Sequence, residues 1–156
     1  MIGTILCKAK DRKTRGLALA AGGMGALMVG CKTAALGMFG AGVVDLERQW
    51  RQDHNFQGDF AERWQRALAF YDQTHRHPVN RGLHIAGIPL ILGGAIGLIL
   101  HRPLCPLWSL SAAAFGTGWI LNLVGHAVFE KNRPAFADDP LSFVAGPVWD
   151  VRQLRG

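Results

Sequence analysis

Hydrophobic residues recur with a helical period in the segment that follows residue 59. One set lies at i, i+4, i+7 and i+11 and therefore shares a helix face: Trp64, Leu68, Tyr71 and His75. The opposite face carries charged side chains: Glu62, Arg63, Arg66 and Asp72. The pattern predicts an amphipathic helix whose charged side lies at a surface or interface.

A proline break and a second helix follow. Pro78 cannot continue the first helix without cost, so we expect that helix to end before it. Asn80, His84 and Ile88 then recur every four residues, and the chain is wholly apolar from residue 85 to residue 100. This pattern predicts a helix that has polar groups near its start and none along the rest of its length.

Two long apolar helices are predicted in the centre of the chain. The second covers residues 107–129 and ends at residues 130–134, after a turn at residues 101–106. About 20 apolar residues in a helix cross a hydrocarbon core of roughly 30 Å, and Gly93 and Gly97 predict a helix contact face. The predicted fold class is therefore all-α, a small multi-helix membrane protein with a central αα-hairpin.

The last part of the chain, residues 135–156, contains two pairs of helix-breaking residues. Asp139-Pro140 and Gly146-Pro147 interrupt short apolar pieces. We expect this part to be an interfacial closing segment that is broken at both pairs.

The first 58 residues have a different character. A basic block in residues 1–15 precedes an apolar, glycine-rich stretch from Gly16 to Val44. A single membrane crossing here would leave basic residues on both sides, against the usual asymmetry of Lys and Arg. Two alternatives remain: a hairpin that turns near residues 31–33, or an N-terminus that is removed or lies outside the working domain. We divide the chain into this anchor or hairpin, residues 1–58, and a helical membrane domain, residues 59–156.

Composition also favours a membrane location. Hydrophobic residues make up 49% of the 156 positions and charged residues 18%, below the usual level of about 25%. The net charge of +6 is better matched to anionic lipid headgroups than to nucleic acid in so apolar a chain. The three cysteines are far apart and indicate neither a disulfide framework nor a zinc ribbon.

Histidines are the candidate chemical groups, because the chain has no hydrolase, zincin or nucleotide-binding motif. His75, His84 and His126 lie near the polar ends of three predicted helices, on faces that should point toward other helices. We therefore expect them to converge. The remaining histidines are assigned mainly surface roles: His54, His77 and His101. Of these, His77 is expected to cap the second helix or to face water, and it is the reserve ligand. Imidazole ligands suit iron, zinc, copper or nickel, and residue type alone does not choose among these metals.

Polar residues also recur along the second apolar helix. They are four residues apart: Gly118, Asn122, His126 and Glu130. A carboxylate at the bilayer midplane costs at least about 2.5 kcal/mol on insertion scales, so Glu130 should lie near the boundary, pair, or bind a cation. The stripe has an equally simple structural explanation, in which Asn122 joins helices and His126 pairs with Glu130 without any catalytic role.

Two motifs contain the candidate histidines. The first spans residues 71–89 and reads Tyr-x3-His-x-His-Pro-Val-Asn-x3-His-x2-Gly-Ile-Pro. The second spans residues 125–135 and reads Gly-His-x2-Phe-Glu-x3-Pro-Ala. Both resemble the DUF962, or Mpo1-like, family, and the resemblance covers about residues 60–154 and leaves the first 58 residues outside it.

The resemblance implies a multi-helix integral membrane protein that acts as an Fe(II)-dependent dioxygenase of fatty-acid α-oxidation and shortens a 2-hydroxy fatty acid by one carbon. His75, His84 and His126 match the family's motif histidines and are the expected iron ligands. Glu130 is expected as a fourth ligand or as an acceptor that fixes an imidazole tautomer. Asn80 is expected to orient the substrate or a ligand.

The expected partners follow from this activity. They are a 2-hydroxy fatty acid, dioxygen and membrane lipid, with no nucleic acid, and Arg81 or Arg133 could meet the substrate carboxylate. Assembly into a homo-oligomer through small-residue helix faces stays open. The expected location is an integral membrane one, the inner membrane in a bacterium or the endoplasmic reticulum in a eukaryote.

Two other functions compete with the dioxygenase. One is a structural or assembly membrane protein whose histidines join helices, and the other is a metal- or lipid-binding module without turnover.

Overall fold

The computed structural model describes residues 12–155, which form six α-helices. We number them along the chain: α1 (Arg12–Met28), α2 (Lys32–Asp53), α3 (Phe60–Thr74), α4 (Pro78–Leu100), α5 (Pro106–Val124) and α6 (Ser142–Arg155). A π-helical turn, Gly125–Glu130, continues α5, and a short 3-10 helix spans Ala135–Ala137. The predicted all-α class is confirmed, and so is the central hairpin, since α4 and α5 pack against each other. Most of the predicted basic block, residues 1–11, lies outside the described residues.

The chain divides into two compact units between residues 57 and 58. In the first unit, α1 and α2 form a hairpin that turns at residues 29–31, where Gly30 has a φ of 82°. A Cβ atom on Gly23 or Gly42 would lie only 2.7 or 2.6 Å from a backbone nitrogen of the facing helix. Glycine at these two positions therefore lets the two backbones approach closely.

The helices of the second unit begin where their sequences supply N-terminal caps. The Asp59 carboxylate accepts from a backbone N–H in the first turn of α3 at 2.8 Å, and His77 Nδ1 accepts from one in α4 at 3.2 Å. Pro78 and Pro106 open α4 and α5, where the missing N–H of proline costs nothing. The predicted capping role of His77 is therefore confirmed.

The contact between α4 and α5 uses a different glycine from the one predicted. A Cβ atom on Gly93 would meet nothing within 4 Å, whereas one on Gly94 would lie 2.6 Å from a backbone nitrogen of α5. Gly97, the other predicted contact, is buried. The prediction for Gly93 was wrong because residues 85–100 of α4 are apolar all round, so the sequence there does not mark which side faces α5.

Helix α6 is continuous, although the sequence predicted a break at Gly146-Pro147. The break predicted at Asp139-Pro140 is confirmed, since α6 begins after it. A buried cluster packs α6 on α3: Ala67, Leu68, Tyr71, Ala145 and Trp149. Burial of this face favours the helix through Pro147 despite the missing N–H, which corrects the prediction.

Arg63 departs from the predicted amphipathic pattern. The sequence places it on the charged face of α3, but its side chain is fully buried. Its two terminal nitrogens donate to the two carboxylate oxygens of Asp139 at 2.9 and 2.6 Å. One of these oxygens also accepts from the backbone N–H of Leu141 at 3.0 Å. The ion pair therefore joins α3 to the segment that precedes α6.

We expect Asp139→Asn to lower the free energy of unfolding by about 3–5 kcal/mol, because it leaves the buried Arg63 guanidinium without its counter-charge. Denaturant titration of the purified protein in detergent measures the change. Glu62→Gln is the control, since the Glu62–Arg66 pair is half exposed on both sides and its loss should cost about 0.5 kcal/mol or less. Equal losses in the two variants would contradict the structural role of the buried pair.

A second prediction concerns the packing of α4 on α5. Gly94→Ala should lower stability by about 1–3 kcal/mol, because its methyl group would collide with the α5 backbone. Gly93→Ala should have no cost and should stabilise the helix by up to about 1 kcal/mol, since its methyl group meets open space. Thermal unfolding of both variants in detergent compares them, and the reverse order would refute the observed packing.

Candidate metal centre

Three buried histidines from three separate segments meet in the second unit. His75 follows the last residue of α3, His84 lies in α4, and His126 lies in the π-helical turn. Their ring centroids are 4.5–4.9 Å apart, and the ring planes are close to perpendicular. Each can present one ligand atom such that all three atoms lie within 4.8 Å of one another. The expected convergence is thus present in the structure.

Backbone carbonyl groups orient two of the three rings. His75 Nδ1 lies 2.8 Å from the carbonyl oxygen of Tyr71, and His84 Nδ1 lies 3.0 Å from that of Asn80. A carbonyl oxygen can only accept, so the Nδ1 atom of each ring carries the hydrogen and donates it. The Nε2 atom of each ring is consequently left with a free lone pair.

Asn132 orients the third ring. Its Nδ2 donates to the carbonyl oxygen of Thr74 at 3.0 Å, which turns its Oδ1 toward His126 Nδ1 at 2.7 Å. Because an amide oxygen only accepts, His126 must also donate from Nδ1 and keep its Nε2 lone pair. The same amide connects the end of α3, beside His75, to the π-helical turn.

The three Nε2 atoms therefore form a set of electron-pair donors. The Nε2 atoms of His75 and His84 are 3.3 Å apart, and two lone pairs at this distance repel unless a cation lies between them. Burial, followed by the neighbouring His84, lowers the pKa of His75 from 6.5 to about 3. The His75 imidazole is therefore neutral at pH 7, and no second proton on its Nε2 bridges the two rings. Bonds of about 2.0–2.1 Å from a metal to two imidazoles place their nitrogens about 3.0–3.4 Å apart. The His75–His84 spacing thus fits two ligands of one metal ion, and the three-histidine group as a whole could hold one.

Aromatic packing holds His75 in place. The Tyr71 ring stacks on it with centroids 3.8 Å apart and planes inclined by 15°. Tyr71 is itself buried in the cluster between α3 and α6, and burial raises the pKa of its hydroxyl well above the usual value. A neutral phenol therefore backs the imidazole at any physiological pH.

The three histidines line a cavity of about 80 Å³. Apolar and aromatic side chains supply most of the remaining wall, and none of the described residues that line it is Asp, Glu, Lys or Arg. Leu92 and Leu123 belong to the lining and are each 45% exposed. The cavity therefore reaches the apolar outer surface of the α4–α5 hairpin.

Glu130 and Asn80 lie beside the histidines and bond to each other. Glu130 Oε1 accepts from the backbone N–H of His77 at 2.6 Å and from Asn80 Nδ2 at 3.2 Å. Glu130 stands outside the three-histidine group, and the acceptor for His126 is Asn132. Residues 125–130 form a π-helical turn with i→i+5 hydrogen bonds, so positions four apart no longer share a face as in the predicted stripe.

The other candidates lie away from the cavity wall. Neither Arg81 nor Arg133 is among the described residues that line it. The Arg81 guanidinium lies over the Trp149 ring, 5.1 Å from its centroid, and Arg133 is exposed. His77 caps α4 and is not part of the three-histidine group.

Sequence reasoning missed Asn132. It falls outside the helical stripe, beyond Lys131, whose left-handed φ of 55° ends the π-helical turn. Asn132 then folds back, with its backbone N–H 3.3 Å from the carbonyl oxygen of His126. The only signal in the sequence was an amide residue close after a motif histidine, which many surface turns share.

Two helical segments, Pro78–Leu100 and Pro106–Glu130, are long and apolar enough to cross a membrane. Only 28% of the apolar window of each is buried, so most of its residues are partly or fully exposed. Large exposed examples are Ile96, Leu110 and Ile120. An exposed apolar surface of this extent is typical of contact with lipid or with a partner.

The fold and the site thus define a class: a small all-α protein with an apolar hairpin and a buried three-histidine centre that could hold a metal ion. The chain belongs to the Mpo1-like family, since the model of that family, described as 2-hydroxy-palmitic acid dioxygenase Mpo1-like, matches residues 61–156. The predicted resemblance is therefore confirmed. Neither the curated proteins nor the solved structures contain a match to the chain.

We expect Asn132→Ala to weaken the binding of a divalent metal about 10- to 100-fold, because His126 loses the acceptor that fixes its tautomer and ring orientation. Competition titration against a coloured chelator measures the affinity. Arg133→Ala, an exposed substitution one residue away, should leave it unchanged. An unchanged affinity in Asn132→Ala would refute the orienting role.

Proposed function

We propose that the protein is a membrane-embedded, non-haem Fe(II) dioxygenase that acts on 2-hydroxy fatty acids and shortens them by one carbon. The observation that carries the proposal is the convergence of three buried histidines, whose ligand atoms lie within 4.8 Å of one another, within the region that matches the family. His75, His84 and His126 are the proposed ligands. In atoms, one 2-hydroxy acid and one dioxygen balance to the acid one carbon shorter, carbon dioxide and water.

The choice of metal follows from the reaction rather than from the ligands. Three imidazoles suit several first-row metals, but a dioxygenase needs a metal that exchanges electrons with dioxygen, which Zn²⁺ does not. Bound Fe(II) would supply this redox chemistry. The chain itself supplies three neutral donors, each held by a hydrogen bond from Nδ1.

The apolar surroundings suit an amphiphilic substrate. The cavity of about 80 Å³ has room for a head group, whereas a long alkyl chain must extend beyond it. The exposed side chains of Leu92 and Leu123 lie where such a chain would leave the cavity. In an integral membrane protein this path leads into lipid, so the substrate would need no soluble carrier. We place the protein in the inner membrane of a bacterium or in the endoplasmic reticulum of a eukaryote.

Glu130 and Asn80 are proposed to act through the loop between α3 and α4 and the first turn of α4. Glu130 holds the His77 backbone and the Asn80 side chain, and the Asn80 carbonyl in turn orients His84. Both residues would thus position ligands.

The decisive experiment is oxygen uptake with 2-hydroxypalmitate by protein prepared anaerobically in detergent and loaded with Fe(II). We expect the wild type to consume oxygen and release the acid one carbon shorter. His126→Ala should retain less than about 1% of this activity, because it removes one of three ligands. His54→Ala is the control, since His54 is an exposed residue of the first unit.

The outcomes separate the competing functions. Iron that binds without oxygen uptake favours a metal- or lipid-binding module. Protein that binds no iron, and whose thermal stability does not change on iron addition, favours a structural protein whose histidines join helices. Either result would contradict the dioxygenase.

A further inference from the structure

Three residues that line the histidine cavity carry buried polar atoms with no hydrogen-bond partner among the described residues. These residues are Ser142, Trp119 and Asn122. The atoms are Ser142 Oγ, Trp119 Nε1 and Asn122 Oδ1, which are buried and make no hydrogen bond to the described residues. A buried polar group without a partner costs about 1–3 kcal/mol. Where such a group belongs to a residue of a cavity wall, a bound molecule can satisfy it.

Ser142 is the clearest case. Its side chain lies at the start of α6, and the residue is 6% exposed. The backbone N–H groups of the first turn of α6 are already bonded, to carbonyl oxygens of Asp139, Pro140 and Leu141. The hydroxyl is thus the donor that remains for a ligand at this end of the helix.

A row of aromatic rings in the cavity lining connects Trp119 to the residue next to Ser142. The Trp119 ring meets Phe136 edge to face with centroids 5.5 Å apart, and Phe136 stacks on Phe143, the residue after Ser142, at 4.9 Å. The indole N–H can only donate. Any group that it bonds in the cavity is therefore an acceptor.

Asn122 has a different explanation. Its Oδ1 occupies the space where a side chain on Gly87 would begin, so it lies against the backbone of α4. This contact joins the two helices and accounts for the burial of Asn122 without a ligand.

We infer that Ser142 Oγ and Trp119 Nε1 bind the carboxylate of the substrate, an assignment that rests on the proposed function. A carboxylate offers only acceptors, which matches two donors on one wall. None of the described residues that line the cavity is Lys or Arg, so neutral donors take the place that the sequence had suggested for Arg81 or Arg133. The two residues are substrate-binding residues and not metal ligands.

The test is equilibrium binding of 2-hydroxypalmitate to the Fe(II)-loaded full chain in detergent, without oxygen so that no turnover occurs. Ser142→Ala and Trp119→Phe should each raise the Kd roughly 10- to 100-fold, the effect of losing one hydrogen bond to a charged group. Their iron content should equal that of the wild type. The uncharged methyl ester should lose less than about 3-fold in the same variants, since its oxygens are weaker acceptors.

Matched controls separate the hydrogen bonds from packing. Trp108 also has a buried Nε1 without a partner among the described residues, but it does not line the cavity, so Trp108→Phe should bind as the wild type does. Ser142→Thr should keep most of the affinity and Ser142→Val should lose it. Threonine and valine have the same shape, but only threonine has a hydroxyl group.

Each result has a distinct meaning. If the wild type binds 2-hydroxypalmitate and neither Ser142→Ala nor Trp119→Phe raises the Kd, the carboxylate site is overturned. The proposed dioxygenase activity is not affected by that result. A wild type that does not bind 2-hydroxypalmitate overturns both. Equal affinities of Ser142→Thr and Ser142→Val also overturn the role of the hydroxyl.

Discussion

The hydrogen bond from the Nδ1 atom of each buried histidine is the constraint on which the centre depends. A carbonyl oxygen of α3, a carbonyl oxygen of α4 and the Asn132 amide oxygen accept these three bonds. Each acceptor forces its ring into the tautomer that leaves Nε2 unprotonated. Three rings with free rotation or mixed tautomers would not present a common set of lone pairs, so these acceptors convert three histidines into one site.

The surrounding fold serves this constraint by fixing the acceptors relative to one another. Asn132 reaches both the end of α3 and His126, while Glu130 holds the loop that leads into α4. The buried pair of Arg63 and Asp139 then joins α3 to the segment before α6. These polar contacts are buried or half-buried, where the low dielectric strengthens a satisfied hydrogen bond and penalises its loss.

The cavity contains the three histidines and opens between apolar side chains at the surface of the α4–α5 hairpin. These two features distinguish an enzyme from a structural protein. A structural role for histidines explains a hydrogen-bonded network, but it does not account for lone pairs that face one another 3.3 Å apart. It also leaves the partnerless hydroxyl of Ser142 and indole of Trp119 unexplained. A metal with a bound amphiphile accounts for both features at once, which is why we favour an enzyme over a scaffold.

The sequence by itself determined the all-α class, the apolar hairpin, the cap at His77 and the family, because periodicity, caps and motifs are local properties. Three placements depended on tertiary structure: the burial of Arg63, the choice of Gly94 over Gly93, and the role of Asn132. Each depends on a partner on another segment or on which side of an apolar helix meets its neighbour. Helical spacing records which residues share a face, but only packing decides what that face meets.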